Sequence, residues 1–398
     1  MEELNRKPKH FWKDLGPRIK TGIIHTYHSE GFKTVLTSFW CALIGLIIGF
    51  IILLLINANN AADGILATLK NFFVFSSREA RLRYFGQTLA KTAPLLVTSV
   101  AIIFSYKAGI FNIGGSGQYT IAVIVISYFG IAFKLNWFLV MILAMVGGAI
   151  WGCLIGLLKA FFNVNEVISA IMLNWIALYI ANAVLTTDPI IWDGSHSESF
   201  KITPDNPAFM PNLGLDKVFG NNVLAGIGLF IALITVVIVY IVLKKTTFGY
   251  QIQATGLNPN AAKYAGINEK KNMIIVTAIS GALVGLAASL SLQNSFTSWQ
   301  LSSTCPSIGF DGIAAAFLGG LSPIGAIFAS YFITHITDGG SMITDLGYAP
   351  QVANIMTSII IYLSGVVAFI KTILDKKEIK PFDDDISPRE AKKKGEAK

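Results

Sequence analysis

Long apolar runs alternate with short polar stretches along nearly the whole chain, and many of the runs approach the length of a membrane-spanning helix. Such a helix needs about 20 predominantly apolar residues. The pattern predicts ten spans, at residues 37–56, 91–106, 119–133, 137–160, 167–185, 223–243, 272–292, 310–320, 323–337 and 352–374. We therefore predict an all-α, polytopic membrane protein with a transmembrane domain at 37–374, flanked by polar segments at 1–36 and 375–398.

The charges between the runs predict the orientation of the chain. Both terminal segments are basic, and Lys and Arg accumulate on the cytoplasmic side of membrane proteins. Residues 293–307 and 339–350 contain no Lys or Arg, and the long segment 188–222 is mildly acidic. Ten spans with these loops outside place both termini and the basic loop 244–271 in the cytoplasm.

One segment disagrees with this charge bias. Residues 57–90 fall on the outer side by the count of spans, yet they contain Arg78, Arg81 and Arg83. We expect this segment to leave the membrane and to lie along its surface as an amphipathic helix.

Composition agrees with a membrane protein and argues against other classes. Hydrophobic residues make up 53% of the chain and charged residues 14%, whereas soluble proteins carry about 25% charged residues. The net charge of +8 reflects cytoplasmic Lys and Arg and does not indicate a nucleic-acid partner. The three cysteines lack metal-site spacing, and the five histidines form no catalytic constellation with acids or cysteines, so we expect no metal site and no catalytic residues.

The loop 244–271 carries signals for short helices. Asn258-Pro259 is a helix-start pair, because proline has a preset φ and its missing N–H costs nothing in a first turn. Residues 260–264 can continue the helix and Gly266 can end it. A second short turn is predicted at 248–254. The alternative is an ordinary cytoplasmic loop with one amphipathic turn.

Two polar breaks interrupt the apolar pattern, at residues 111–114 and 310–313. Each places Phe and then Asn or Asp before a glycine-containing turn into a short apolar helix. Polar breaks survive in a membrane where they are buried in protein or line a water-filled cavity. The two breaks suggest an inverted repeat in which spans two to five correspond to spans seven to ten.

The polar residues at the breaks have two interpretations. Asn112 and Asp311 are either N-caps for helices that begin inside the bundle or part of a translocation path, and the two roles can coexist. Ser116 and Gln118 have the same two interpretations. The glycine-rich run is not a phosphate loop, because it lacks the Gly-Lys-Ser/Thr ending.

Three further positions stand out. Glu166 begins span five, where it either complements the positive end of the helix or contributes to a gate or to the substrate pathway. Asn174 lies deeper in the same span, so it either bonds a neighbouring helix or meets a polar substrate. His335 and Asp338 could suggest a proton relay, but no chain of acids continues inward from them.

Residues in four blocks resemble the permease subunits of ABC importers that move nucleosides and simple sugars, across roughly residues 85–370. The segment 111–118 resembles the FNIG-x-x-GQ signature of that family, although Ser116 stands where an acidic residue is usual. The second and third blocks are 165–177 and 309–320. The fourth block resembles the segment that couples such permeases to their ATPase; its matching residues are Gly256, Asn258, Pro259, Ala261, Ala262, Tyr264, Gly266 and Ile267.

The resemblance implies a type II ABC importer fold and the permease role for nucleosides, with ribose or another simple sugar as the alternative cargo. It implies a cytoplasmic ATPase partner that carries ATP and Mg²⁺, with no cofactor in this chain. It also implies a second permease subunit, expected to be a different chain, an extracytoplasmic substrate-binding lipoprotein, and a bacterial cytoplasmic membrane. An ion-gradient-driven secondary transporter is a further alternative, for which Glu166 and Asp311 are the acids available.

Overall fold

Helices make up most of the computed structural model, which describes residues 30–294, 297–349, 351–352, 354–356, 358–359 and 362–363. They are α1 Glu30–Ile56, α2 Ala61–Lys70, α3 Arg78–Tyr106, α4 Gly115–Ile126, α5 Trp137–Phe162, α6 Glu166–Thr186, α7 Leu215–Val218, α8 Gly228–Lys245, α9 Thr247–Leu257, α10 Pro259–Tyr264, α11 Glu269–Leu292, α12 Ile308–Leu318 and α13 Pro323–Ser341. Two short strands, β1 Trp192–Asp193 and β2 Glu198–Ser199, pair antiparallel. Within the described residues, six helices are long and apolar enough to cross a membrane. The chain is therefore a multi-pass, helical membrane protein.

The tenth predicted span, 352–374, lies mostly outside the described residues, as do the segment 375–398 and most of 1–36. The spans predicted at 137–160 and 167–185 are confirmed to within two residues as α5 and α6.

The second span begins 13 residues earlier than predicted, at Arg78 rather than at residue 91. Ser77 caps α3 by accepting a hydrogen bond from the Ala80 N–H at 3.1 Å, and the polar residues 78–90 simply extend the helix. The prediction was wrong here because it followed hydropathy, which finds apolar runs and not helix ends. The expected amphipathic helix within 57–90 is present but short, as α2.

The seam between α5 and α11 is a glycine contact that brings the two backbones together. A methyl group at Gly148 would overlap the Gly281 carbonyl, and one at Gly281 would overlap the Gly148 carbonyl. The contact continues along both helices: Gly152 faces Gly281 and Gly285 faces Ala144. Lipid tails are as apolar as side chains, so close van der Waals packing of small residues holds such helices together.

The two polar breaks become two helix starts inside the bundle. α4 begins at Gly115, four residues before the predicted 119, and a π-helix at Ser127–Ala132 follows directly after it. α12 begins at Ile308, just ahead of the predicted 310. The bundle core, formed mainly by α3, α4, α5 and α11, surrounds these two starts.

Candidate translocation site and coupling segment

Asn112 organises the irregular segment between α3 and α4. Its side chain is buried, and its amide nitrogen donates to Gln118 Oε1 at 3.1 Å and to Ser280 Oγ at 2.9 Å. Its Oδ1 accepts from the Gly114 N–H at 2.9 Å. Asn112 thus ties the break to its own helix and to α11 at once, which holds the backbone turn in place within the core.

The strict N-cap interpretation of Asn112 and Asp311 is wrong. The N-cap of α4 is Gly114 and that of α12 is Ser307, and neither makes a side-chain cap. Asn112 lies ahead of its helix, whereas Asp311 is the fourth residue of α12. The sequence match between them therefore does not place the two side chains equivalently.

Asn174, on the neighbouring helix α6, supplies a hydrogen-bond acceptor that the start of α4 lacks. Its Oδ1 accepts from the Gly117 N–H at 2.8 Å, and its amide nitrogen donates to the Ile113 carbonyl at 3.1 Å. The side chain is buried. The first N–H groups of a helix have no partner within it, so Asn174 satisfies one of them. Of its two interpretations, the interhelical hydrogen bond is the one that the geometry favours.

The N-terminal ends of α4 and α12 touch. A methyl group on Gly309 would lie 2.5 Å from the Ser116 backbone nitrogen. Ser116 Oγ donates to the Pro306 carbonyl at 2.8 Å, just ahead of α12. Ser116 and Gln118 are both fully buried and do not line open space. Ser116 holds this junction, whereas Gln118 pairs with Asn112.

Glu166 lies apart from the junction. Its carboxylate is 2.8 Å from Lys159 Nζ on α5. The neighbouring Asn165 caps α6 by accepting from the Val167 and Ile168 N–H groups. This arrangement matches the helix-end interpretation of Glu166.

Of the predicted path residues, Asp311 faces open space. It lines a cavity of about 760 Å³ together with Lys91 of α3 and Tyr119 of α4. Sequence reasoning missed Lys91, whose Nζ lies 2.8 Å from Asp338 Oδ1. An ionisable residue in the membrane is a functional candidate by default, with its partner. That rule could have flagged Lys91, but no local pattern pairs it with Asp338, 247 positions away.

His335 has structural partners. Its Nε2 lies 2.9 Å from the Leu69 carbonyl, and Asn71 donates to the His335 carbonyl at 3.0 Å. Both partners belong to the segment at the end of α2. Asn71 also lies 3.4 Å from His335 Nδ1 and donates to Thr88 Oγ1, which in turn donates to Asp338 Oδ2. His335 and Asp338 are therefore linked through the Asn71 amide and the Thr88 hydroxyl.

The coupling segment has the predicted form. Asn258 caps α10 by accepting from the Asn260 and Ala261 N–H groups at 3.0 and 3.1 Å. Gly266, with φ +80°, ends the helix, and its N–H donates to the Lys263 carbonyl. The predicted turn at 248–254 is a full helix, α9.

The residues of this segment differ in their exposure to solvent. Ala262 is buried, whereas Tyr264 and Leu257 are 95% and 89% exposed. Gly256 packs on the turn after α3, where a methyl group would overlap the Lys107 carbonyl. Leu257 at the end of α9 and Tyr264 on the capped helix α10 thus face the surroundings, while Gly256 of α9 contacts the end of α3.

At the opposite end of α3, the long loop forms a small folded surface. Ser298 Oγ donates to Glu198 Oε2 at 2.6 Å, and Trp299 Nε1 donates to Asn182 Oδ1 at 3.2 Å. Asp193 Oδ2 lies 2.6 Å from His196 Nδ1. The hydrogen bond and charge of Asp193 raise the pKa of His196, and the same hydrogen bond lowers the pKa of Asp193.

Comparison with known proteins gives one consistent family. A model described as branched-chain amino acid transport system / permease component matches residues 84–365. The nucleoside ABC transporter permease NupB of Lactococcus lactis is 35% identical, over 81% of this chain and 89% of its own. The guanosine ABC transporter permease NupP of Bacillus subtilis is 30% identical, over 84% and 95%.

A glucose ABC transporter permease of Haloferax volcanii is 27% identical over 65% of this chain and 70% of its own. No solved structure matches the chain at a significant level. The family match covers every helix from α4 to α13 and nearly all of α3, including the junction and the coupling segment. The chain therefore belongs to the branched-chain amino acid transport system permease family, as a membrane-spanning transporter subunit.

Proposed function

We propose that this chain is the permease subunit of an ATP-driven importer of nucleosides. The observation that carries the proposal is the identity of 35% and 30% to a nucleoside and a guanosine permease over more than four fifths of the chain. The second candidate cargo is a simple sugar, which the weaker similarity to a glucose permease favours.

The coupling segment is the proposed docking site of the cytoplasmic ABC ATPase, which binds ATP and Mg²⁺. Tyr264 and Leu257 offer exposed apolar anchors, and aromatic anchors in a pocket dominate many interfaces. Closure of the ATPase dimer moves α10 and the adjoining α9, and the contact of Gly256 of α9 with the turn at Lys107 passes that movement to α3. The remaining matched residues, including Ala261, Ala262 and Ile267, set the shape of this helix.

The proposed topology has ten spans, both termini in the cytoplasm and an inverted repeat of spans two to five and seven to ten. The meeting of the α4 and α12 starts at Gly115 and Gly309 supports the repeat, since half-helix ends converge at the centre of such folds. Lysines at 244, 245, 263, 270 and 271 support a cytoplasmic coupling segment.

The remaining partners follow from this orientation. The folded surface formed by 188–222 and 297–300 lies at the end of α3 opposite the coupling segment, where an extracytoplasmic substrate-binding lipoprotein would dock. A second permease subunit, proposed to be a different chain, completes the pathway in the cytoplasmic membrane of a bacterium.

Uptake of labelled guanosine, uridine and ribose tests the proposal in cells that express the full importer, with and without collapse of the ion gradients. The matched control carries the same importer with an ATPase that cannot hydrolyse ATP. We expect nucleoside uptake that needs ATP hydrolysis and survives gradient collapse. Uptake that persists without hydrolysis and stops with the gradients would overturn the importer, and uptake of ribose alone would overturn the nucleoside assignment.

A further inference from the structure

A cavity of about 760 Å³ lies among α3, α4, the ends of α11 and α13, and the start of α12. Its size falls within the range of about 300–1,000 Å³ that is typical of small-molecule sites. Apolar side chains form one part of its wall, and hydroxyl and amide side chains form another. The polar lining residues include Ser291, Thr297, Ser307, Thr334, Asn354 and Ser358.

The charge of Lys91 in this cavity is already compensated. Asp338 Oδ1 lies 2.8 Å from Lys91 Nζ, and Thr88 Oγ1 donates to Asp338 Oδ2 at 3.1 Å. A charge taken out of water is costly unless it is paired and hydrogen-bonded. Lys91 is the one cation among the described lining residues, so the part of the wall that the structure describes offers no uncommitted cation to a phosphate.

Asp311 is placed differently. It lies in the first turn of α12, largely buried and bonded to Ser307, within the same cavity wall. No Lys, Arg or His within 4.0 Å pairs with it among the described residues. A carboxyl group with two oxygens can accept hydrogen bonds from two neighbouring hydroxyl groups.

We propose that this cavity takes a neutral ribonucleoside, with the Asp311 carboxyl group accepting hydrogen bonds from the ribose 2′- and 3′-hydroxyls. The apolar wall at Pro94, Leu95 and Ile333 receives the base. The Lys91–Asp338 pair removes the cation that a nucleotide phosphate would need. The inference rests on the proposed function and adds to it a site within the permease that selects for the diol and against phosphate.

Photo-crosslinking of the purified permease and ATPase complex, without the binding protein, tests the site directly. The probe is 4-thiouridine, and the competitors are uridine, 2′,3′-dideoxyuridine and uridine monophosphate. In the wild type we expect crosslinks on the base-binding residues 94, 95 or 333, with uridine competing at least tenfold better than the dideoxy analogue, since even one hydrogen bond to a charged group is worth about 1.5 kcal/mol and about 1.4 kcal/mol is a factor of ten.

Two variants separate the two parts of the proposal. Asp311→Asn should reduce the preference for uridine over the dideoxy analogue to near parity. Asp338→Asn leaves Lys91 uncompensated and should let uridine monophosphate compete. Asp345→Asn changes the same charge at an exposed site outside the cavity lining and should behave as wild type.

The proposal is overturned if the wild type shows no diol preference, if Asp311→Asn keeps it, or if the crosslinks map elsewhere. Gel filtration shows whether each variant assembles with the ATPase. If Asp311→Asn does not assemble, the wild-type crosslink positions and the competition by uridine monophosphate in Asp338→Asn decide whether the proposed site stands. Uptake by the whole importer distinguishes failure of this site from failure of the proposed function. If the variants keep ATP-dependent nucleoside uptake with the wild-type preference among substrates, only this site is disproved. If ATP-dependent nucleoside uptake is absent from the wild type, the proposed function is disproved.

Discussion

Asn174 of α6 accepts a hydrogen bond from the backbone N–H of Gly117 in the first turn of α4, at 2.8 Å. The bond crosses between two helices and joins residues 57 positions apart. A helix that begins inside a bundle has no water to satisfy its first N–H groups. The α4 start therefore depends on α6 for its stability, and the two helices should move together during transport.

Asn174→Ala should destabilise the chain by about 1–3 kcal/mol, because it leaves the Gly117 N–H and the Ile113 carbonyl without their partner. That exceeds the roughly 0.6 kcal/mol typical of a membrane interhelical hydrogen bond, since two buried backbone groups are orphaned. Denaturant unfolding in detergent measures the change. Asn59→Ala, at an exposed position, is the control, and equal stability of the two variants would contradict the prediction.

Gly281→Val should prevent α5 and α11 from closing. The added side chain meets the backbone of Gly148 and Gly152, with Gly148 C at 2.9 Å from the first added carbon, and neither helix backbone can yield. Overpacking typically costs about 1–3 kcal/mol, and rigid backbone on both sides places this site at the upper end. Gly194→Ala, which meets nothing within 4 Å, should leave folded yield in membranes unchanged. If Gly281→Val accumulated in membranes at the wild-type yield, α5 and α11 would be able to separate enough to admit the side chain.

Tyr264→Ala should abolish ATPase coupling without loss of stability. The side chain is 95% exposed, so its removal leaves no cavity, yet it is the largest apolar group on the proposed docking face. Co-purification of the ATPase and uptake should both fall at least tenfold, the loss of a hot-spot residue worth about 2 kcal/mol or more. Leu213→Ala, an exposed apolar change at the other end of the bundle, should affect neither. Wild-type ATPase binding by Tyr264→Ala would remove this residue from the interface.

Gly266→Val should weaken the coupling helix through its backbone alone. Its φ of +80° is a conformation that a β-branched residue rarely adopts, and nothing lies within 4 Å of an added Cβ. The strain costs about 1–3 kcal/mol, so ATPase binding should weaken although no contact is lost. Gly266→Asn should be milder, because asparagine tolerates this region. Identical effects of the two variants on ATPase affinity would argue for a contact and against backbone strain.

The sequence could predict features whose signals are local. The α10 start at Asn258-Pro259 and its stop at Gly266 follow from residues adjacent in the chain, and both are confirmed. The start of α3 was missed because residues 78–90 are polar, although Ser77 before them is a capping residue. The prediction relied on the low hydropathy of these residues and did not use the capping signal of Ser77.

Features that depend on distant partners were beyond the sequence. Nothing near Asn174 shows whether it faces a substrate or the Gly117 N–H. The Lys91–Asp338 pair joins residues 247 positions apart, and only the folded bundle brings them to one cavity. The fold class could therefore be predicted from hydropathy. Which polar residues form structural hydrogen bonds and which face open space could be learned only from the three-dimensional structure.

The His196–Asp193 pair should titrate as a unit on the exposed loop 188–222. The pKa of His196 is raised above its ordinary 6.5, so its contribution to loop stability is fully present below pH 6.5 and is lost as pH rises through the raised value. The pKa of Asp193 is lowered, so its contribution is present above its ordinary pKa and is lost as pH falls through the lowered value. The pair is strongest between these two limits.

Asp193→Asn should return the pKa of His196 toward 6.5, because the hydrogen bond and the charge that raise it are largely removed. NMR titration of selectively labelled histidine in detergent measures the shift. Glu198→Gln is the matched control: Glu198 affects His196 only through a weaker charge interaction, so this change should lower the pKa by less. If both variants left the pKa of His196 at its wild-type value, the 2.6 Å contact with Asp193 would not form in solution, and the loop would need another source of order.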